Sequence, residues 1–470
     1  MKDISPTQII ILGGSGDLSQ RKLLPALLDL FSRGMLPDTF SIVGLASSPR
    51  TDEEYREFVK KSIQTHHSEH DHTSETITEF CNTISYVKGS FDDLETYTKL
   101  GKEITKFNNN IGKPSNRLFY LAVPPKYYGQ IFRDLKESGL TDETDHTWTH
   151  ILVEKPFGNN LETAQSLDAQ LAELYREDQI FRIDHYLAKE AVQNILSFRF
   201  ANRILQAPWN RDSIKSVTIT MTETIDVGDR ANFYEGIGAL RDVGQNHLLQ
   251  LVALTAMREP AEFTAEAIRS ARTEALQALV PIDTSKLSTS VLRGQYEEYK
   301  NNDTTLNSEI ETYFELKTEL SLPEWEGVPF YIRSGKALDN AEVSISVQFK
   351  DVASGMFETK TCLGVGNIIT LHISPEQTIS IKLNAKGPGL GYKLETRTLN
   401  FTCDKDDLEI KNSYEKVLYD SITGDCTLFT RTEEVLAAWK YISPIIEAWE
   451  DQPLYLYKKG SKGPYQTIIE

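Results

Sequence analysis

The segment RIDHYLAKE, residues 182–190, carries side chains that can bind an anion or orient a base. It follows a predicted strand, so we expect a helix to begin at Asp184, with His185 and Lys189 four residues apart on one of its faces. His185, Tyr186 and Lys189 would together clamp a phosphate, because a dianion accepts several charge-assisted hydrogen bonds. The simpler alternatives are a helix N-cap for Asp184 and a hydrogen-bonded structural histidine for His185.

A second cluster lies in LRDVGQNHLLQLVALTAM, residues 240–257, a mostly apolar helical stretch. His247 is the candidate base, because histidine transfers protons near neutral pH; a hydrogen-bonded core histidine is the alternative. At about 100° per residue, Asp242 would lie about 140° around an α-helix from His247. Asp184 is therefore the better partner, and it would fix the imidazole tautomer. Asp242 and Glu223 are then free for substrate hydroxyls, with structural ion pairs as the alternative.

A third group of candidates surrounds the glycines of GGSGDLSQRK, residues 13–22. The segment lies between a predicted strand and a predicted helix, an arrangement in which backbone N–H groups and the helix dipole bind a pyrophosphate. The glycine spacing is GxxG rather than the commoner GxGxxG, so a tight turn with solvated basic side chains is the alternative. The cofactor-binding residues predicted in this segment are Gly13, Ser15, Gly16, Asp17, Leu18 and Lys22.

The end of the second predicted strand indicates which coenzyme is used. An acidic residue there would bind the ribose 2′-hydroxyl of NAD, but the sequence over 45–51 is LASSPRT. Ser47 and Arg50, with their neighbours, would instead hold a 2′-phosphate, so NADP is favoured and NAD is left open. Two further predicted strands end at the same edge of the sheet, where Pro124 and Lys155 would touch the cofactor or the substrate. A solvated lysine is the alternative for Lys155.

Predicted strands and helices that alternate along the chain must hold these candidate site residues in place. The first half of the chain alternates apolar runs with amphipathic stretches, which is typical of an α/β Rossmann-type, doubly wound parallel sheet. Its predicted strands lie at 8–12, 40–45, 84–87, 117–123, 150–155 and 179–183, and its first two helices at 18–34 and 51–63. After about residue 210 the pattern becomes that of an α+β domain with an antiparallel sheet. The strands predicted there lie at 213–223, 342–349, 367–373, 378–383 and 394–401, and the helices at 236–257, 411–422 and 432–448.

The composition is that of a globular protein of 470 residues with a formal net charge of −18. An acidic surface repels nucleic acid, anionic lipid and phosphorylated substrates, so a phosphate site needs a local cluster of basic side chains. No apolar run approaches the ~20 residues that span a bilayer, and the N-terminus lacks the features of a signal peptide. Four cysteines without CxxC spacing are typical of free thiols in a reducing compartment, so we expect a cytoplasmic protein.

Seven motifs, taken together, resemble the glucose-6-phosphate dehydrogenase family over nearly the whole chain. DHYLAKE followed at this distance by RDVGQNHLLQ is the most specific combination. The resemblance implies a Rossmann domain over 1–180, and a domain with a large, mainly antiparallel sheet over 181–470. It also implies a homodimer formed through that sheet, with a tetramer left open. In chain order the motifs are GGSGDLSQRKL, FYLAVPP, ILVEKPFG, FRIDHYLAKE, RDVGQNHLLQ, VPFYIRSGKAL and KKGSKGPY.

Carried over position by position, the resemblance implies that Asp184 and His247 are the catalytic pair. It assigns His185, Tyr186 and Lys189 to the phosphate. It implies oxidation of D-glucose 6-phosphate at C1 to 6-phospho-D-glucono-1,5-lactone with NADP, the first step of the pentose phosphate pathway. The sugar-binding residues that it implies are Lys155, Glu223, Asp242 and Lys336, the last of which no residue pattern had indicated.

The sequence departs from the family pattern at several positions. Ser47 stands where an arginine for the 2′-phosphate is usual, and Gly244 stands where a methionine- or valine-like residue is usual. The stretch 230–235 is RANFYE in place of an RGGYYD-type stretch. No second basic residue follows Lys336 in ALDNAE, residues 337–342, so the phosphate clamp is weaker and other sugars are left open.

Two alternative functions remain at this stage. A Gfo/Idh/MocA-type dehydrogenase of another sugar or sugar phosphate would also join a Rossmann domain to an open sheet and carry an EKP motif, but such proteins lack DHYLxKE. A nucleotide-sensing protein without catalysis is disfavoured by the intact Asp184, Lys189 and His247. The reaction needs no metal, because base and cofactor supply both acceptors. The histidine-rich stretch at 66–72 is interpreted as a solvated loop, with a metal site as the alternative.

Overall fold

The computed structural model describes residues 5–66, 72–301, 305–351, 366–390, 394–402 and 412–469. Cys362, Cys403 and residues 67–71 of the histidine-rich stretch lie outside the described residues. In chain order the strands are β1 Thr7–Leu12, β2 Phe40–Ala46, β3 Ile84–Lys88, β4 Asn116–Leu121, β5 Thr149–Val153, β6 Ile180–Ile183, β7 Ile214–Thr222, β8 Val291–Tyr296, β9 Tyr313–Thr318, β10 Phe330–Gly335, β11 Glu342–Phe349, β12 Ile368–Ser374, β13 Thr378–Lys386, β14 Leu394–Thr402, β15 Phe429–Thr430 and β16 Leu454–Tyr457. The α-helices are α1 Leu24–Ser32, α2 Asp52–His66, α3 Ser74–Asn82, α4 Leu94–Ile111, α5 Tyr128–Glu137, α6 Leu161–Leu174, α7 Glu190–Phe200, α8 Arg203–Gln206, α9 Ala231–Tyr234, α10 Leu249–Ala256, α11 Ala265–Gln277, α12 Ser413–Thr423 and α13 Thr432–Ala448.

The first sheet is parallel over six strands in the order β3-β2-β1-β4-β5-β6, and the short β15 pairs antiparallel with β6. This is the strand order of a dinucleotide-binding sheet, in which the order reverses between β1 and β4. Every residue of β1 and of β5 is buried, because helices cover both faces of such a sheet. The prediction of a Rossmann-type first domain is therefore confirmed.

The second sheet has the order β14-β13-β12-β11-β7-β10-β9-β8-β16 within the described part of the chain. Its neighbours are antiparallel except at β7–β10 and β8–β16, so the predicted large, mainly antiparallel sheet is confirmed. Helix α7 packs on β12, and the helical segment Leu240–Leu248 packs on β7 and β10. Four strands, β8, β9, β10 and β16, had not been predicted.

The last helices return to the first sheet. Helix α12 packs on α1, α13 packs on α6, and β15 lies on β6. The two halves of the chain thus share elements, and the predicted division near residue 180 stays a prediction. None of the helices within the described ranges is both long and apolar enough to cross a membrane.

Three predicted helices differ from the structure. The helix predicted at 236–257 begins at Leu240, where it is π-helical to Leu248 before it continues as α10, and α9 is separate from it. The helix predicted at 18–34 likewise opens with a π-helical turn, Ser19–Leu23, before α1. The helix predicted to begin at Asp184 begins only at Glu190.

Candidate active site

Asp184 and His247 bring together an element of the first sheet and one that packs on the second. Asp184 follows β6 of the first sheet, and His247 lies on the π-helical segment that packs on the second. His247 Nδ1 lies 2.6 Å from Asp184 Oδ1, and the two side chains are 1% and 3% exposed. With Nδ1 donating to this carboxylate, Nε2 keeps the lone pair that can accept a proton. The geometry is that of an oriented base.

The residues between β6 and α7 form a turn rather than the first turn of a helix. Asp184 Oδ1 accepts the amide N–H of Tyr186 at 3.0 Å. Lys189 has an extended backbone, φ −72° and ψ 132°, and serves as the N-cap residue of the helix that starts at Glu190. Because an extended residue interrupts helical hydrogen bonding, His185 and Lys189 do not share a helix face, and that prediction is wrong.

The π-helical segment changes the argument about Asp242. In a π-helix, backbone hydrogen bonds join residues five apart, so Asp242 and His247 lie one above the other instead of about 140° apart as in an α-helix. The α-helical premise was therefore wrong. Asp184 still holds His247 Nδ1, because the carboxylate of Asp242 is engaged by Lys155 at 3.3 Å and lies 3.8 Å from Lys336.

Burial and the contacts of the two side chains together give the pair compatible charge states. Burial lowers the pKa of His247 below its ordinary 6.5; Lys155 lowers it further, and Asp184 opposes both. Burial would raise the pKa of Asp184, but the contact with His247, the nearby His185 and the hydrogen bond from the Tyr186 amide together outweigh burial and lower it to about 2. At neutral pH the carboxyl is therefore ionised and the imidazole neutral, which are the states that a general base and its orienting partner need.

Two ammonium groups and two carboxylates border this pair. Lys155 Nζ donates to the Asp242 carbonyl at 2.9 Å, and Lys336 Nζ contacts Glu223 Oε2. Burial would raise the pKa of Asp242, but Lys155 and Lys336 lower it below its ordinary 3.8. The structure thus brings together all four residues predicted to bind the sugar, and the group presents both donors and acceptors to hydroxyls.

The three residues predicted to clamp the phosphate lie beside the base. The ring of Tyr186 is 4.3 Å from that of His247 between centroids, and the ring of His185 is 4.6 Å away. Lys189 Nζ lies 4.0 Å from the centroid of the Tyr186 ring. Burial, with His247 next to it, lowers the pKa of His185 to about 3, so its neutral ring offers one N–H donor.

The glycines after β1 let the chain approach two neighbouring strands closely. Gly13 has φ +91°, and a Cβ there would lie 2.2 Å from the carbonyl oxygen of Ala122, which follows β4. A Cβ on Gly14 would lie 2.7 Å from Tyr55 Oη and 2.9 Å from Gly44 Cα. The loop therefore forms a close-packed cradle at the edge of the sheet where its strand order reverses, which fits a pyrophosphate.

The other predicted cofactor residues line the same edge. Asp17 and Lys22 are exposed on the first helical turn, Ser15 and Leu18 are half-buried, and Asp17 pairs with Arg21 at 2.7 Å. The π-helical turn Ser19–Leu23, which continues into α1, thus begins beside the cradle, as a phosphate site at a helix N-terminus requires.

The side chains that would select the coenzyme follow β2. Ser47 is exposed, and the guanidinium carbon of Arg50 lies 4.3 Å from the centroid of the Phe58 ring. Pro124, after β4, is exposed on the same side. No acidic side chain occupies 45–51, so the fit favours a phosphate on the ribose over a free 2′-hydroxyl.

Two residues missed by the sequence argument support these sites. The hydroxyl of Tyr55, a fully buried residue of α2, donates to the Gly14 carbonyl at 2.7 Å and so fixes the cradle. Glu311 Oε1 accepts the Leu240 amide at 2.9 Å and caps the segment that carries His247. Tyr55 belongs to an apolar helix face that a periodicity argument could have found, whereas Glu311 lies 71 residues from its partner and has no local signal.

One departure from the family pattern has a structural counterpart. At Gly244 a Cβ would lie 2.7 Å from Leu240 Cδ1 and 3.0 Å from Phe314 Cζ. The ring of Phe314, on β9, therefore fills the space that a larger side chain at 244 would need. Gly244 does not leave a cavity beside His247.

Known proteins resemble the chain over nearly its whole length. Residues 10–194 match the family model described as glucose-6-phosphate dehydrogenase, NAD binding domain, and residues 196–468 match the C-terminal domain of the same family. Glucose-6-phosphate 1-dehydrogenase of Bacillus subtilis (strain 168) is 35% identical, with 98% of this chain and 95% of that protein covered. Glucose-6-phosphate 1-dehydrogenase 5, cytoplasmic, of Arabidopsis thaliana is 38% identical, with coverage of 98% and 89%.

Solved structures give the same match. A structure described as glucose-6-phosphate dehydrogenase in complex with its substrate glucose-6-phosphate has a TM-score of 0.90 and 35% identity, with 99% of this chain and 97% of that chain covered. Levoglucosan dehydrogenase, in complex with NADH and L-sorbose, has a TM-score of 0.51 at 9% identity, with 95% and 97% covered. The second likeness shows a shared fold alone, so the alternative of another sugar dehydrogenase has only distant structural support.

Proposed function

The chain belongs to the glucose-6-phosphate dehydrogenase family, and from that membership and the site geometry we propose that it oxidises D-glucose 6-phosphate at C1 to 6-phospho-D-glucono-1,5-lactone. NADP is the proposed coenzyme, with NAD as the alternative. The observation that carries the proposal is the buried 2.6 Å contact between His247 Nδ1 and Asp184 Oδ1 beside two lysines and two carboxylates.

The proposed proton acceptor is His247 Nε2. When bound, the nicotinamide ring accepts the hydride from C1. His247 takes the proton of the C1 hydroxyl, so that the C1–O bond becomes the carbonyl of the lactone. Asp184 stays ionised, holds the proton of Nδ1 and stabilises the imidazolium that forms, because opposite charges attract strongly in a site shielded from water.

The residues around the pair would orient the sugar. Glu223 and Asp242 accept hydrogen bonds from sugar hydroxyls, and the two lysines that they contact, Lys155 and Lys336, donate. The phosphate would bind His185, Tyr186 and Lys189, which lie together next to His247.

The cofactor would lie along the carboxyl edge of the first sheet. The cradle at Gly13 and Gly16 and the start of the following helix would hold the pyrophosphate, with Ser15, Asp17, Leu18 and Lys22 beside it. Ser47 and Arg50 would contact the ribose 2′-phosphate, while Pro124 and Lys155 would face the nicotinamide half.

Initial rates at 340 nm test the activity and the coenzyme together. Glucose 6-phosphate and glucose are each assayed with NADP and with NAD, and we expect reduction that requires the phosphorylated sugar. No reduction with any pair would refute the proposed function. His247→Asn should lower kcat by about 10²–10⁴-fold, the usual contribution of a general base. The control His372→Asn, at a half-buried position of β12, should retain turnover. A His247→Asn enzyme with near-normal turnover would contradict the assignment of the base.

The edge of the second sheet supports a homodimer in the proposed assembly. Leu383 of β13 and Leu399 and Phe401 of β14 are 39%, 58% and 60% exposed, and they lie on one face of the sheet, on its outermost strand β14 and the neighbouring β13. An apolar face at a sheet edge is typical of an association surface. Light scattering should give the mass of a dimer, with a tetramer as the alternative. We place the protein in the cytoplasm, consistent with the name of the Arabidopsis relative and with the free thiols of Cys81 and Cys426.

A further inference from the structure

Lys336, which follows β10, lies in a turn with a strained backbone conformation. Ala337, directly after Lys336, has φ +55°, and it is the single non-glycine residue with positive φ within the described ranges. A side chain in this region of backbone space costs energy, and the conformation persists only where surrounding contacts hold it. The direction in which Lys336 leaves the backbone thus depends on what fixes this turn.

Hydrogen bonds from two parts of the chain hold the turn. One set comes from within the sheet and the loop after β7: Lys336 N–H to Thr312 O at 3.0 Å, Ala337 N–H to Ile225 O at 3.1 Å and Leu338 N–H to Glu223 O at 2.9 Å. The other comes from the C-terminal segment: Tyr457 Oη to Lys336 O at 2.8 Å, Gly460 N–H to Ala337 O at 2.8 Å and Asp339 N–H to Ser461 O at 2.9 Å. Residues 457–461 therefore supply three of these six contacts.

Proton counting fixes the direction of the contact from Tyr457. The Tyr296 amide, which can only donate, gives its hydrogen to Thr312 Oγ1 at 3.1 Å. The Lys336 carbonyl can only accept, and at 2.8 Å it is closer to Tyr457 Oη than the Thr312 carbonyl at 3.3 Å, so Tyr457 donates to Lys336 and accepts from Thr312 Oγ1, 2.9 Å away. Tyr457 is 3% exposed, so water does not readily replace its hydroxyl. This series of hydrogen bonds, from Tyr296 through Thr312 and Tyr457, ends at the backbone carbonyl of Lys336.

We propose that Tyr457 is a positioning residue for substrate binding, which acts by holding the Lys336 turn so that the ammonium reaches the sugar-phosphate site. That ammonium contacts Glu223, lies 3.8 Å from Asp242 and lies 5.6 Å from the centroid of the Tyr234 ring. The C-terminal segment is thereby part of the substrate site without touching the substrate. The inference rests on the proposed function only in taking Lys336 as a ligand of the sugar phosphate.

Tyr457→Phe removes the hydroxyl and keeps the ring, which packs against Tyr313 and Tyr296 at 5.7 and 6.3 Å between centroids. We expect the KM for glucose 6-phosphate to rise about fivefold, as for the loss of one net hydrogen bond. The KM for NADP and kcat should change less than twofold. The matched control is Tyr455→Phe, two residues earlier on β16 and half-buried, which should leave all three constants unchanged.

A double-mutant cycle separates positioning from a general loss of structure. In a Lys336→Ala background, Tyr457→Phe should raise the KM no further, because the ammonium that it positions is gone. An unchanged KM in the single variant, or a full additional fivefold increase in the double variant, would overturn the inference.

Hydrogen exchange supplies a readout that needs no turnover. Amides of residues 336–339 should exchange faster in Tyr457→Phe than in the wild type, while peptides from β1 to β5 should not change. If the wild type fails to oxidise the sugar phosphate, the proposed function fails but this measurement still reports on the turn. Unchanged exchange at 336–339 would overturn the inference in either case.

Discussion

Replacing Asp184 by asparagine removes a charge from the pair and almost no volume. Asp184 Oδ1 accepts two hydrogen bonds, from His247 Nδ1 at 2.6 Å and from the Tyr186 amide at 3.0 Å. Oδ2 is buried and has no hydrogen-bond partner among the described residues. The new amide therefore has two orientations: its oxygen replaces Oδ1 and its two N–H groups are buried without acceptors, or its nitrogen faces His247.

The size of the effect follows from these two orientations. With the oxygen toward His247 the tautomer is kept, but the imidazolium loses its counter-charge. At about 4 Å between charge centres and an effective dielectric constant of about 20, that attraction is about 4 kcal/mol, or about 10³-fold in rate. With the nitrogen toward His247 the proton is forced onto Nε2, which blocks the base, and a loss of about 10⁴-fold is expected for a wrong tautomer. Asp184→Asn should thus lower kcat by about 10³–10⁴-fold.

Steady-state rates at 340 nm measure this loss, with saturating NADP and varied glucose 6-phosphate. The KM for the sugar phosphate should change less than about threefold, because in the proposed function Asp184 orients His247 and does not bind the sugar. Asp134→Asn is the matched control: Asp134 on α5 is also buried, and its Oδ2 has no hydrogen-bond partner within the described part of the chain, but its Oδ1 accepts from Gln130 outside the site. A loss in kcat smaller than tenfold for Asp184→Asn, with Asp134→Asn unchanged, would refute the role of the pair.

Two further predictions concern pH and the coenzyme. Burial lowers the pKa of His247 below 6.5 and the neutral form is active, so the acid limb of kcat/KM should have its midpoint below pH 6.5. Asp184→Asn should move that limb to still lower pH, because Asp184 raises the pKa of His247; a wild-type midpoint above pH 7 would contradict this. Ser47→Arg places a cation on an exposed residue after β2 and should lower the KM for NADP at least about fivefold. The KM for NAD should not fall, and equal changes for both coenzymes in initial-rate assays would be inconsistent with contact at the 2′-phosphate.

The first sheet could be predicted because its signal is local. Strands such as β1 and β5 are buried on both faces, so they appear as apolar runs with a glycine or proline within three residues of their ends. The glycines after β1 and the prolines after β4 follow those runs directly, and the rule that ligands bind at the carboxyl edge then placed both at one site. Because neighbouring strands are parallel, the residues that follow each strand in the sequence lie at the same edge of the sheet.

Part of the second sheet has no local sequence pattern that predicts its strands. Strand β8, VLRGQY, is buried throughout, yet it contains Arg293 and Gln295. Arg293 donates to the carbonyls of Glu450 and Gln452, more than 150 residues away, and Gln295 donates to Ile310 O at 2.8 Å. A polar residue with distant partners cannot be told from an exposed one by local pattern. Glu311, the cap of the segment that carries His247, escaped prediction for the same reason.

The π-helical form of Leu240–Leu248 determines which side chains of this segment lie on the same face. In an α-helix, Asp242 and His247 would face directions about 140° apart, and only one of them could face the proposed sugar site. Hydrogen bonding between residues five apart puts both on one face, so a single segment can present the proposed substrate carboxylate and the proposed base. Lys155 and Lys336 then keep Asp242 away from Nδ1, which leaves the tautomer of His247 to Asp184. The positions of the two lysines therefore explain why Asp184, and not Asp242, pairs with His247. The π-helical geometry that brings Asp242 to the same face as His247 could not be predicted from the sequence of the segment.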